Sequence, residues 1–114
     1  EMRGDIFQPG QMSGAFLRDC QSGIPVGAIA RRFHATVAAM ALEGAEKARR
    51  ERGLNRVVLS GGCWHNKYLL EIARQLLRSK GFGVHCHRLV PPGDGGIALG
   101  QAAVGYVRWK NNVF

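Results

Sequence analysis

The sequence predicts an α/β fold: a βαβα unit preceded by a mainly helical N-terminal third. Three observations carry this expectation. A long apolar stripe at helical spacing lies between Pro25 and Gly53. Two short apolar runs, at 56–60 and 82–89, each lead into a glycine-rich turn. After each turn a second helical pattern follows, at 66–79 and 95–109. Strand, turn and helix, repeated in that order, form a parallel pair joined by a right-handed crossover.

The elements follow in chain order. Residues 1–23 read as a lead-in with a short helix around 13–20, broken up by Gly4, Pro9, Gly10 and Gly23. Residues 24–114 read as the α/β body that follows it. Pro25 suits the first helical position, where its lost N–H would be unpaired anyway. From it Val26, Ile29, Ala30, Phe33, Val37, Met40, Ala41, Gly44 and Ala48 recur at steps that keep one face of a helix apolar. Gly53 ends that helix, and Gly44 within the stripe marks a close helix contact. The unbroken run Val57-Val58-Leu59 reads as a strand buried on both faces, as in parallel sheets. Leu69, Leu70, Ile72, Ala73, Leu76 and Leu77 supply the stripe of the next helix, which Gly81 closes. Residues 91–96, Pro-Pro-Gly-Asp-Gly-Gly, can only be a loop before the last helix.

Composition excludes several classes. The chain has 114 residues, 46% of them hydrophobic, as in an ordinary globular domain. No apolar run reaches the roughly 18 residues of a membrane span, and no signal-peptide pattern opens the chain. Three widely spaced cysteines argue against a disulfide scaffold and for a reducing, cytoplasmic setting. Sixteen Lys and Arg against eight Asp and Glu give a formal charge of +8. The cations are dispersed, and the densest run, 47–56, falls at a helix end where cations complement the dipole. No aromatic platform or nucleic-acid motif accompanies them, so a small basic nucleic-acid-binding module is the alternative reading rather than the leading one.

Both glycine-rich turns belong at the carboxyl edge of the strands, where open α/β sheets bind ligands. In Ser60-Gly61-Gly62-Cys63-Trp64-His65-Asn66, paired glycines allow close backbone approach, and the next helix offers free N–H groups to an anion or polar ligand. Asn66 suits either an N-cap or a ligand contact. The loop is neither a Walker A motif nor a G-x-G-x-x-G fingerprint. In the second turn Asp94 is either an N-cap or a ligand to a divalent cation that draws a phosphate in, with glycines on both sides leaving room. Cys63, His65, His85, Cys86 and His87 form a weaker candidate metal cluster, because their spacing matches no zinc pattern. A nucleophilic Cys63 lacks an assignable relay. His34 reads as a partly buried histidine bonded to a neighbour.

These motifs carry a resemblance. Gly23-Ile24-Pro25, Ile29-Ala30-Arg31-Arg32-Phe33-His34, Val57-Val58-Leu59-Ser60-Gly61-Gly62 with Asn66, and the run from His87 to Gln101 together resemble the C-terminal end of the HypF carbamoyltransferases of nickel–iron hydrogenase maturation. The resemblance covers about residues 20–107. The Ser-Gly-Gly element is shared more widely, with the tRNA threonylcarbamoyltransferase TsaD and with antibiotic O-carbamoyltransferases. It implies an ASKHA (actin-like ATPase) fold of two α/β lobes around a nucleotide cleft, with this chain as most of the second lobe. It implies that carbamoyl phosphate and ATP give carbamoyl-adenylate, and that the carbamoyl group passes to the C-terminal cysteine of a HypE-type acceptor on the way to a cyanide ligand. Gly61, Gly62, Asn66, Gly95 and Gly96 would then face nucleotide. Asp94 would be a ligand to a divalent metal, Mg, Fe or Zn, that bridges to the phosphates.

Two departures stand out. The family usually has Asn where Gly93 stands, and Val-Phe-Gln-like residues where Cys63-Trp64-His65 stand. The family's metal-binding histidines, in the first lobe, have no counterpart here. The chain alone is therefore expected to be inactive, with its catalytic residues supplied by that N-terminal lobe. Apolar surface left open by its absence is expected to drive self-association. Another carbamoyl- or threonylcarbamoyl-transferase of the same superfamily is the enzyme alternative.

Overall fold

The computed structural model describes residues 2–3, 6–7 and 10–113. Its elements are β1 (Met2–Arg3), β2 (Ile6–Phe7), α1 (Gly10–Gln21), α2 (Val26–Arg52), β3 (Arg56–Leu59), a 3-10 turn (Gly62–His65), α3 (Lys67–Ser79), β4 (Gly83–Cys86), a second 3-10 turn (Asp94–Gly96) and α4 (Ile97–Lys110). β1 and β2 form a short antiparallel ribbon. β3 and β4 pair in parallel, from Arg56 opposite Gly83 to Leu59 opposite Cys86, with α3 as the crossover between them. The chain is α/β, with a helical N-terminal third.

Local chemistry explains the boundaries. Pro25 stands just outside α2 as its cap, with extended ψ of 134°, and the helix starts at Val26 rather than at the proline. The helix ends where Gly53 turns left-handed at φ 70° and donates its N–H to the Arg49 carbonyl at 2.9 Å. Gly81, at φ 78°, reverses the chain after α3 in the same way. α1 begins at Gly10, earlier than the glycines suggested, and Gly23 at φ 67° separates it from α2. Gly4 and Pro9, expected to interrupt this segment, lie outside the described residues.

The core sits between α2, α3 and one face of the small sheet. Ala38, Leu59, Leu69, Ala73, Leu77 and Phe82 form it, and Leu77 is its largest fully buried side chain. On α3 the buried positions 69, 73 and 77 fall four apart, which places them on one line of the helix. The Arg49 guanidinium lies 3.5 Å over the Phe82 ring and bonds the Lys80 carbonyl at 3.0 Å, closing the end of the core with a cation–π contact.

Three expectations need correction. β3 is not buried on both faces: Leu59 is 4% exposed but Val58 is 67% exposed. Val57, Leu59, Val84 and Cys86 face the helices, while Val58 and its cross-strand partner His85 face away from them. The unbroken apolar run is the pattern of a doubly covered strand, and the helices of this chain cover one side. β4 stops at Cys86 rather than continuing to residue 89, because β3 offers no pairing partner beyond Leu59. Gly44 faces the Phe7 ring of β2, with 3.9 Å to the place of a Cβ, rather than a second helix.

α4 is the unusual element. Its residues are exposed throughout, and Ile97, Leu99, Val104, Tyr106, Val107 and Trp109 are each more than half exposed. A helix apolar on several faces is normally covered. Among the described residues no helix is long and apolar enough to cross a membrane.

Candidate functional site

Parallel pairing of β3 and β4 brings the loops after both strands to one edge. The first loop leaves Leu59 and turns at Gly61, whose φ of 108° and ψ of 164° fall in a region that essentially only glycine occupies. That turn aims the Gly61 N–H at the Pro92 carbonyl of the second loop, 2.7 Å away. This bond clasps the two glycine-rich segments together. His87 and Ser60 add a side-chain bridge between the strand ends, Nε2 to Oγ at 2.9 Å.

After Gly61 the chain makes a 3-10 turn into α3. Asn66 is the N-cap: its Oδ1 accepts the Leu69 N–H at 3.0 Å. Its Nδ2 meets His34 Nε2 of α2 at 2.8 Å, and His34 Nδ1 meets the Ala30 carbonyl at 2.6 Å. His34 is therefore the bonded histidine expected, and its partner is Asn66. The spacing of 32 residues hides that bond from any local pattern.

The second loop is tightly folded on itself and on the first. A Cβ on Gly93 would lie 2.8 Å from His65 Nε2 and 3.6 Å from the Gly62 Cα. His65 thus occupies the space a side chain at position 93 would need. The HypF resemblance leads one to expect asparagine there; beside His65 as it stands, a side chain at 93 would have to displace the imidazole tip. A Cβ on Gly95 would come within 3.3 Å of Pro91 Cγ. On Gly96 it would come 2.9 Å from the Pro91 carbonyl oxygen and 3.2 Å from Val90 Cγ1. Asp94 is exposed and makes no cap bond: Gly93 caps its 3-10 turn and Gly96 precedes α4. The N-cap reading of Asp94 is thereby set aside, and among the described residues no cation or donor engages its carboxylate.

The five-residue metal cluster does not assemble. Among the described residues no three His, Cys, Asp or Glu side chains converge on an ion site. His85 faces away from Cys86 across the sheet, His87 bonds Ser60, and His65 packs on Gly93. Cys63 is an exposed free thiol. Asp94 alone fits one ligand of a metal site, with an open carboxylate in glycine surroundings.

The crowding makes a prediction. Gly96→Ala is expected to cost about 1–3 kcal/mol, because a backbone oxygen cannot yield as a side-chain tip can. Gly100→Ala, in a helix with open space at the same position, is expected to stabilise by up to about 1 kcal/mol. Urea midpoints of the two variants check the contrast.

Residues 1–101 match the family described as carbamoyltransferase, Kae1-like domain, second subdomain. The chain belongs to this HypF family. It is 40% identical over 84 residues to the carbamoyltransferase HypF of Rhizobium leguminosarum bv. viciae, covering 73% of this chain and 11% of that protein. It is 42% identical over 83 residues to carbamoyltransferase HypF2 of Cupriavidus necator, covering 72% and 10%. The crystal structure of a full-length HypF in its phosphate- and nucleotide-bound form superimposes with a TM-score of 0.84 at 36% identity, over 91% of this chain and 14% of that one. HypF of T. kodakarensis superimposes at 0.79 with 28% identity, over 97% and 14%. The chain spans about a tenth of the length of the curated HypF proteins it matches.

Proposed function

We propose that this chain works as the second half of the carbamoyl-transfer domain of a HypF-type enzyme. In this reading it is one lobe of an ASKHA fold, with residues 24–114 as the lobe proper and 1–23 leading into it. The observation that carries it is the clasp of two glycine-rich loops at one sheet edge, made by the Gly61 N–H and the Pro92 carbonyl. Loops of this kind present backbone N–H groups to phosphate without side chains in the way. A full-length HypF that superimposes on this chain was crystallised in a phosphate- and nucleotide-bound form, which supports a reading in which the enzyme handles phosphate and nucleotide.

In this assignment Gly61, Gly62, Asn66, Gly95 and Gly96 form the nucleotide-facing wall. Asp94 supplies this chain's ligand to a divalent metal, Mg, Fe or Zn. When bound, the metal supplies positive charge for phosphate oxygens. Glycines keep the wall shallow, so the backbone can reach the ligand. The N-terminal lobe of the same enzyme supplies the other wall and the catalytic groups. The longer enzyme takes carbamoyl phosphate and ATP, forms carbamoyl-adenylate with release of phosphate and pyrophosphate, and passes the carbamoyl group to the C-terminal cysteine of a HypE-type acceptor in the cytoplasm, with AMP as the leaving group.

Incubation of the full-length parent with acceptor, carbamoyl phosphate and ATP tests this. Mass spectrometry of the acceptor's C-terminal peptide is expected to show one added carbamoyl group that requires ATP. Absence of transfer, or transfer independent of ATP, overturns the reading. The chain alone is expected to transfer nothing.

The exposed apolar side chains of α4 and Val58 lead to a second expectation. The isolated chain self-associates at tens of micromolar or above, and sedimentation velocity shows a mass that rises with concentration. A clean monomer across that range refutes it.

A further inference from the structure

We propose that His34 is a positioning residue that sets the orientation of Asn66, and through it the start of α3 beside the Gly61–Gly62 loop. The assignment of that loop to nucleotide rests on the function proposed above; the hydrogen-bond relay itself does not.

The relay has two ends of fixed polarity. The Leu69 backbone N–H can only donate, so the Asn66 atom facing it at 3.0 Å is the carbonyl oxygen. Nδ2 of Asn66 must then point the other way, to His34 Nε2 at 2.8 Å. At the far end the Ala30 carbonyl can only accept, so Nδ1 of His34 carries the hydrogen across 2.6 Å. It follows that Nε2 is the unprotonated nitrogen and accepts from Asn66. Leu69 N–H, Asn66 and His34 thus form one directed chain into α2, and neither amide nor imidazole can be reversed alone. Phe33 and Tyr68 hold the ring by edge contacts, with centroids at 6.1 and 5.5 Å.

The arrangement does more than cap a helix. An N-cap needs only the Asn66 oxygen. The bond that Nδ2 donates to His34 also fixes the amide nitrogen, leaving its second hydrogen with a defined direction. In the proposed site that hydrogen would serve a polar ligand atom arriving at the loop. A merely structural His34 would contribute packing, for which an apolar residue of similar size would serve equally well.

Two measurements decide this. A long-range proton–nitrogen NMR spectrum of the chain reads the His34 tautomer directly. Nδ1–H with bare Nε2 is expected in the wild type. In Asn66→Asp, whose carboxylate cannot donate, His34 is expected to acquire a hydrogen on Nε2. Nε2–H in the wild type, or no change in Asn66→Asp, overturns the proposal.

The second measurement uses the full-length parent. His34→Leu is expected to raise the KM for ATP about tenfold, the loss of one hydrogen bond, with kcat changed less. His34→Gln, which restores a carbonyl acceptor, is expected to recover most of that loss while unfolding at a similar temperature to His34→Leu. Equal KM values for wild type and His34→Leu, or no recovery by glutamine, count against His34. If the wild-type parent shows no ATP dependence, the functional assignment fails. The tautomer experiment still decides the relay.

Discussion

Asp94→Ala in the full-length parent is expected to lower metal-dependent ATP affinity by about a hundredfold while leaving stability almost unchanged. Two properties separate these effects. The carboxylate is exposed, caps no helix end and is not engaged by a donor or cation among the described residues, so removing it breaks nothing in the fold. Surface changes away from such features usually stay within about 0.5 kcal/mol. Yet in the proposed site it is the acid this chain offers to a metal, and even partners one shell further out typically govern metal affinity by about 10–100-fold. Asp94→Asn keeps the shape and removes the charge, so it should fall with the alanine variant rather than with the wild type. Calorimetric titration of ATP with and without a chelator measures both terms. Equal metal-dependent affinity in wild type and Asp94→Ala removes Asp94 from the site. A large drop in the unfolding midpoint of the isolated chain would show a structural role instead.

The spacing of apolar residues made much of this fold legible. The stripe from Val26 to Ala48 set α2, and the strand–turn–helix repeat set the parallel pair, because both depend on local period alone. The meeting of the loops followed from parallel pairing, which sends both strand ends to one edge. What stayed hidden depends on contacts between residues far apart in sequence. His34 with Asn66, His65 with Gly93, and Gly61 with Pro92 carry no signal in spacing. Asn66 shows the limit well: its type suited a cap or a ligand contact, and only the His34 bond reveals why the whole amide is held. Val58 shows another. Its neighbours read as doubly buried, but coverage of a sheet face depends on what packs there, and the helices of this chain take one side.

That half-covered sheet makes the second large prediction. Leu77→Ala is expected to cost about 3–5 kcal/mol, since it empties the largest fully buried position of a small core. A domain of this size is typically stable by only about 5–15 kcal/mol, so the variant should lose a large share of its stability and melt well below the wild type. Val58→Asp provides the contrast. In the isolated chain Val58 is open to water, and a charge there should shift the urea midpoint little. In the full-length parent the same change should be as damaging as Leu77→Ala, if further elements of the lobe cover the outer face of β3. An aspartate buried there has no partner and cannot keep its charge without a large cost. The pair therefore separates two faces of one strand. Leu77→Ala reports the core that this chain completes by itself, and Val58→Asp reports the core that it shares. If Val58→Asp is silent in both settings, β3 is an open face in the whole enzyme and the two-lobed reading of the fold loses its support at this strand.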